Sequence, residues 1–209
     1  STMNTFVAAA LIPLAVAMLY LARRFEWHAT AVFSAACTYA VFLTRPASGA
    51  SLAAIQTMLV IFWTTFEAFD LIRLRSRQAA TEWSRVLFGL NAAAGLASSA
   101  ALWYRMAPDS MWIFCTGAAT LYLASTWLRY ASDGETYYEF SLAISALLAA
   151  LAIVAGVPGL WISLGLILEA EVLYLAGHRL RIPIAKILGG AGFAFALLLP
   201  RTARVGVSA

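Results

Sequence analysis

The chain has 209 residues, 63% of them hydrophobic and only 11% charged, with a mean hydropathy of +0.82. That composition excludes a soluble fold, which needs far more charge to cover its surface. The net charge of +4 sits in short segments beside apolar runs, so it reads as membrane topology and not as nucleic-acid binding.

The apolar runs are long and recur along the chain, which predicts an all-α, polytopic transmembrane helical bundle. A transmembrane barrel would need short alternating segments, and the sequence has none. Eight spans are expected, at about 4–22, 28–44, 52–73, 84–104, 110–130, 136–156, 159–178 and 183–200. Residues 4–209 form one transmembrane domain, and Ser1-Thr2-Met3 reads as the remnant of an added tag. The first run lacks a charged leader and cleavage site, so it is expected to be a retained span.

Pro13 is placed to kink the first span, and Pro158-Gly159 marks a tight turn between the sixth and seventh. Gly189, Gly190 and Gly192 in the eighth predict close helix packing. Aromatic residues at span ends (Trp27, Trp83, Trp103, Trp112, Tyr137, Tyr138, Trp161) form an expected interfacial belt. Cys37 and Cys115 have no metal or disulfide spacing and read as small core residues.

Lys and Arg set the expected orientation. Loops 1–2, 3–4, 5–6 and 7–8 take Arg23, Arg24, Arg73, Arg75, Arg77, Arg85, Arg129, Arg179, Arg181 and Lys186. The other loops and the tails take Arg45, Arg105, Arg201 and Arg204. This bias puts the odd-numbered loops in the cytoplasm and both termini outside.

An internal repeat organises the spans. Leu19-Tyr20-Leu21-Ala22 matches Leu121-Tyr122-Leu123-Ala124 at an offset of 102 residues, and Glu67-Ala68 matches Glu169-Ala170 at the same offset. Leu19, Leu71, Leu121 and Leu173 fall about 51 residues apart, each followed by basic residues. The pattern reads as four helical hairpins in two parallel-related halves, 4–104 and 105–209.

The repeat places a carboxyl inside each half, and a charge within a bilayer is costly enough to mark a candidate site. In the third span Gln56, Thr57, Thr64, Glu67 and Asp70 form a polar stripe expected to face the bundle interior. Ile55, Leu59, Phe62 and Phe66 lie opposite it. Asp70 is three residues from Arg73, a spacing that suits an ion pair. Glu169 lies near the middle of the seventh span, about 15 Å of helix from Arg179. Glu171 points to a different face. Asn91, Gly95 and Ser99 make a small, polar ridge suited to helix contact, with Asn91 able to hydrogen-bond across it. Two histidines without HxxxH or HExxH give no metal site, and no phosphate-binding loop or nucleophile motif occurs. No cofactor is expected.

Phe66-Glu67-Ala68-Phe69-Asp70-Leu71 with Arg73, then Leu87-Phe88-Gly89-Leu90-Asn91-Ala92, then Leu168-Glu169-Ala170 with Gly177-His178-Arg179, resemble a bacterial group. These motifs look like the multi-pass inner-membrane proteins of domain of unknown function 2339, over about residues 60 to 200. The resemblance implies a bacterial inner-membrane protein, matching one stretch of those longer chains, and adds no activity. Three functions stay open. One is a proton- or ion-coupled pathway through Glu67 and Glu169. The second is a structural module that partners another envelope protein or itself. The third is an intramembrane enzyme acting on a lipid-like ligand with paired carboxylates.

Overall fold

A computed structural model describes residues 2–44, 51–76, 81–131, 138–159 and 161–202. The described residues form eight α-helices: α1 (Thr2–Arg24), α2 (His28–Thr44), α3 (Leu52–Arg75), α4 (Glu82–Met106), α5 (Met111–Tyr130), α6 (Tyr138–Gly156), α7 (Trp161–Arg179) and α8 (Pro183–Thr202). A single 3₁₀ turn, Pro108–Ser110, precedes α5, and no strand occurs among the described residues. Among the described residues five segments are long and apolar enough to cross a membrane: Leu52–Arg75, Glu82–Met106, Pro108–Tyr130, Tyr138–Gly156 and Trp161–Arg179. Shorter apolar helices cover His28–Leu43 and Pro183–Leu198. These helices are compatible with a membrane protein.

Local chemistry sets several helix ends. Ser51 caps α3 by accepting from the Ala54 amide at 3.2 Å, and Thr81 caps α4 by accepting from Ser84 at 3.3 Å. Each hydroxyl satisfies an amide that the first turn leaves without a partner. Glu26 and Arg181 adopt left-handed backbone (φ 58° at both) in the tight connections α1–α2 and α7–α8. Gly159, also left-handed at φ 60°, lies in the turn before α7, where a residue lacking Cβ has no steric cost. α1 continues through Pro13 as one helix.

The chain divides into two compact units, residues 1–108 and 109–209. In the first, α1 packs on α2 and α3, while α4 packs on α2 and α3. Its core joins Ala15, Leu19, Ala22, Ala31, Ala35, Tyr39, Leu59, Phe62, Phe66 and Leu87. Small residues on α1 and α2 bring those backbones close, and the α3 aromatics fill the space that remains. In the second unit α5 packs on α6, α7 on α8, and α6 also touches α7 and α8.

The α7–α8 contact is built on glycine. A Cβ at Gly189 would lie 2.6 Å from the Ala170 carbonyl oxygen and 2.8 Å from the Tyr174 amide nitrogen, and one at Gly177 would lie 2.8 Å from the Lys186 amide nitrogen. Gly192 approaches Ala170 more loosely, at 3.4 Å. Gly190, expected in the same ridge, is exposed and meets nothing within 4 Å; one residue on, it has rotated about 100° off the contact.

The outer surfaces are apolar, with large exposed side chains on every helix. Cys115 is buried as expected, but Cys37 is exposed on the outer face of α2, since Ser34, Ala35, Thr38 and Tyr39 occupy its inner face. Trp27, Trp83, Trp112 and Trp161 are exposed near helix ends. Trp103 instead turns partly inward, and Tyr137 lies outside the described residues.

The glycine contacts yield a test. Gly189→Ala should cost about 1–3 kcal/mol through over-packing against backbone that cannot move aside. Gly190→Ala should be neutral or stabilising by up to about 1 kcal/mol, from helix propensity alone. Thermal unfolding of the two variants in one mild detergent separates these outcomes.

Candidate functional site

α3 positions most of the candidate residues in the first unit: Gln56, Thr64, Glu67 and Asp70. Its buried arc holds Leu59, Phe62, Phe66, Glu67, Asp70, Arg73 and Leu74. At 100° per residue these positions span roughly 140°, and Glu67 marks one edge. Thr57 and Thr64 lie beyond that edge and are exposed, which corrects the expectation that the whole stripe faces inward. The apolar residues opposite the stripe win the interior: Leu59, Phe62 and Phe66 are each at most 2% exposed. Burying three large side chains outweighs burying two hydroxyls. Thr57 can face outward because its Oγ1 donates to the Ala53 carbonyl at 2.7 Å within its own helix.

Asp70 and Arg73 form a buried ion pair. Arg73 Nη2 and Nε donate to Asp70 Oδ1 at 3.0 and 3.3 Å, with both side chains at most 5% exposed. The i,i+3 spacing permits the pair. Its burial departs from the sequence expectation, in which the charge of Arg73 places it in a loop. Here α3 runs two residues past that arginine and carries it inside.

The Asn91–Gly95–Ser99 ridge of α4 faces α2 and α3. Tyr39 Oη donates to Asn91 Oδ1 at 2.6 Å, and Asn91 Nδ2 donates to the Trp63 carbonyl at 3.2 Å. Gly95 leaves room for this bridge: a Cβ there would lie 3.2 Å from the Tyr39 hydroxyl and 3.4 Å from Trp63. Farther along, Gln56 Nε2 donates to Ser99 Oγ at 3.3 Å, and Trp103 Nε1 donates to Gln56 Oε1 at 3.2 Å. Trp103 turns inward for that reason. One side-chain amide thus ties α2, α3 and α4, and a second ties α3 to α4.

The second unit has a polar seam between α5 and α6. Arg129 Nε donates to Ser125 Oγ at 3.2 Å, the Ser125 and Ser141 hydroxyls lie 3.4 Å apart, and Ser145 Oγ donates to the Ala119 carbonyl at 2.8 Å. Arg129 is 1% exposed, so the charge read as a loop marker belongs to the interior. Sequence reasoning missed this seam, although Ser125/Arg129 and Ser141/Ser145 both repeat at i,i+4, the spacing of an interhelical ridge.

Glu169 stands apart. It is half-buried on α7 and makes no hydrogen bond or ion pair among the described residues. Gly165 fits against Ile153 of α6, while Ala170 and Gly177 fit against α8. Glu169 lies about 40° round the helix from Gly165 and about 80–100° from the α8-facing pair. It therefore sits between the α6 and α8 contacts. Glu171 is exposed on another face.

The structure brings Glu67, Asp70, Asn91 and Gln56 into the first unit's interior and places Thr64 outside it. Glu169 and Glu171 belong to the second unit. Among the described residues no group of three His, Cys, Asp or Glu side chains could hold a metal ion. In comparisons with protein-family models, curated proteins and solved structures, the chain matches none.

The Asp70–Arg73 pair predicts a coupled response. Arg73→Met should destabilise the protein by about 3–5 kcal/mol by leaving a buried carboxylate without its partner. Asp70→Leu added to it should recover much of that loss. Chemical unfolding of both single variants and the double variant in mixed micelles checks the cycle, and a double-variant loss equal to the sum of the two single losses would mean no coupling.

Proposed function

We propose that this chain is a multi-pass protein of the bacterial inner membrane that binds and relays protons or small cations at intramembrane carboxylates, with Glu169 as the carrier. The observation that carries the reading is the position of Glu169, mid-helix, half-buried, and without a hydrogen bond or ion pair among the described residues. In lipid a carboxyl must hold a proton or meet a cation. A side chain tied to its neighbours is held in one state, whereas an untied one can load and unload. One carboxyl supplies two oxygens, short of the six or more that hard divalent cations take, so a proton is the favoured cargo.

The same reading takes all eight helices as spans, grouped as four hairpins in two duplicated halves, with both termini outside. The motifs around Glu67, Asn91 and Glu169 support kinship with the family of domain of unknown function 2339. Glu67 is the repeat-related acid. Its burial beside the Asp70–Arg73 pair suits a supporting role more than a carrier's.

A second reading is a structural module that assembles with itself or with another envelope protein. Gln56, Asn91 and Tyr39 already act as hydrogen-bond glue between helices of the first unit, and in this reading Glu169 plays that part across an interface. Glu169 would then meet a polar group on the partner.

Proteoliposomes under an imposed pH gradient decide between the two. The wild-type protein should dissipate the gradient, and Glu169→Gln should fall to the protein-free background while Glu171→Gln stays near wild type. A hydrophobic carbodiimide should block the wild type and modify Glu169. No flux from the wild type, or unchanged flux from Glu169→Gln, would overturn the pathway reading. Loss of a cross-linked oligomer in Glu169→Gln without any flux would support assembly.

A further inference from the structure

One end of the first unit gathers charge and aromatic surface that the proposed carrier does not use. α1 finishes there with Arg23 and Arg24, α3 finishes with Arg75, and Arg85 lies in the first turn of α4. All four side chains are exposed. Arg23 Nη2 donates to Ser76 Oγ at 3.4 Å, which ties the end of α1 to the C-cap of α3 and sets Arg23, Arg24 and Arg75 at the same end of the unit. Among the described residues the exposed acids at this end are Glu26 and Glu82, two against four. Arg73 is already matched by Asp70. At the other end of this unit Arg105 is the one exposed basic residue among the described residues.

Aromatic side chains surround the basic face. Phe25, Trp27 and Trp83 are exposed, and the Phe25 and Trp27 rings lie 5.4 Å apart. Exposed indoles at helix ends sit at headgroup depth in a bilayer. Just along the helices from the arginines, toward their middles, lie the exposed Tyr20, Leu21 and Ile72. Guanidinium groups match phosphate oxygens in a two-point fork, and apolar side chains below them suit acyl chains. A free phosphate has no use for that apolar border.

We infer that this face binds the headgroup of an anionic phospholipid, its phosphate among Arg23, Arg24 and Arg75, with Arg85 adding charge and the acyl chains along α1 and α3. The inference does not depend on Glu169 or on flux, only on the helices lying in lipid.

The test uses the full chain, purified in detergent with equal phosphatidylglycerol and phosphatidylcholine, and counts retained lipids by native mass spectrometry. Phosphatidylglycerol should be enriched, and the enrichment should shrink as salt rises. Each arginine changed to Gln in the set Arg23, Arg24, Arg75 and Arg85 should lower it by about five-fold, while Arg105→Gln should leave it unchanged. Circular dichroism confirms that each variant is folded. If combining all four changes prevents folding, Arg23→Gln/Arg24→Gln and Arg75→Gln/Arg85→Gln are read separately, and the salt series needs no variant. Equal retention of the two lipids, salt-independent enrichment, or full enrichment in the folded variants would overturn the proposal. So would displacement of phosphatidylglycerol by millimolar inorganic phosphate, which would mark a soluble-anion site.

Discussion

The constraint on which this structure depends is that buried polar groups need a protein partner. Between helices whose outer surfaces are apolar, lipid would supply neither hydrogen bonds nor a hydrophobic drive to association. Helix contacts must then come from close packing and from polar ties. The first unit uses ties: the Asn91 amide reaches α2 through Tyr39 and α3 through the Trp63 carbonyl, and Gln56 returns the link from α3 to α4. Each such group, once satisfied, also fixes helix rotation, because turning α4 by one residue would separate Asn91 from both partners at once.

The second unit meets the same constraint in two ways. Between α5 and α6 it has Ser125, Ser141, Ser145 and Arg129, a seam of small hydroxyls around one large cation. Between α7 and α8 the residues in closest approach are Gly177, Gly189 and Ala170, whose missing or minimal side chains allow the backbones to meet. Contact at that distance converts many weak dispersion terms into helix adhesion. It also leaves no room there for a polar side chain. That is one physical reason why Glu169, adjacent to Ala170, is turned out of the contact.

Helix existence was legible from the apolar runs, and the ion pair and the α4 ridge were legible from spacing. Asp70 and Arg73 are three apart, and Asn91, Gly95 and Ser99 are four apart, distances that survive any tertiary arrangement because the helix sets them. Which face turns inward was less legible. On α3 the polar and aromatic arcs compete, and the outcome depends on the volume that α1 and α2 leave free, which no periodicity in α3 encodes. Charge misled where it was read as a topology mark alone: Arg73 and Arg129 count toward the basic loops, yet both are buried. A long side chain near a helix end can point either way, and the hydroxyl or carboxylate one turn back decides the direction.

The residues matched at the 102-residue offset show how little a shared motif constrains environment. Leu19 is buried and Tyr20 exposed on α1, whereas Tyr122 is buried and Leu121 exposed on α5. The same tetrapeptide offers opposite members to the interior, so the two helices differ in rotation by about one residue, or 100°. Glu67 and Glu169 diverge likewise. Glu67 is 5% exposed, one turn from an ion pair that keeps charge balanced nearby, while Glu169 is half-buried with no such neighbour among the described residues. If one ancestral segment gave rise to both, rotation alone separates their chemistry. An acid drawn into a satisfied core becomes part of the scaffold. The same acid left at the edge of a glycine contact has no such partner among the described residues, and that makes Glu169 the better candidate of the two for the proposed carrier.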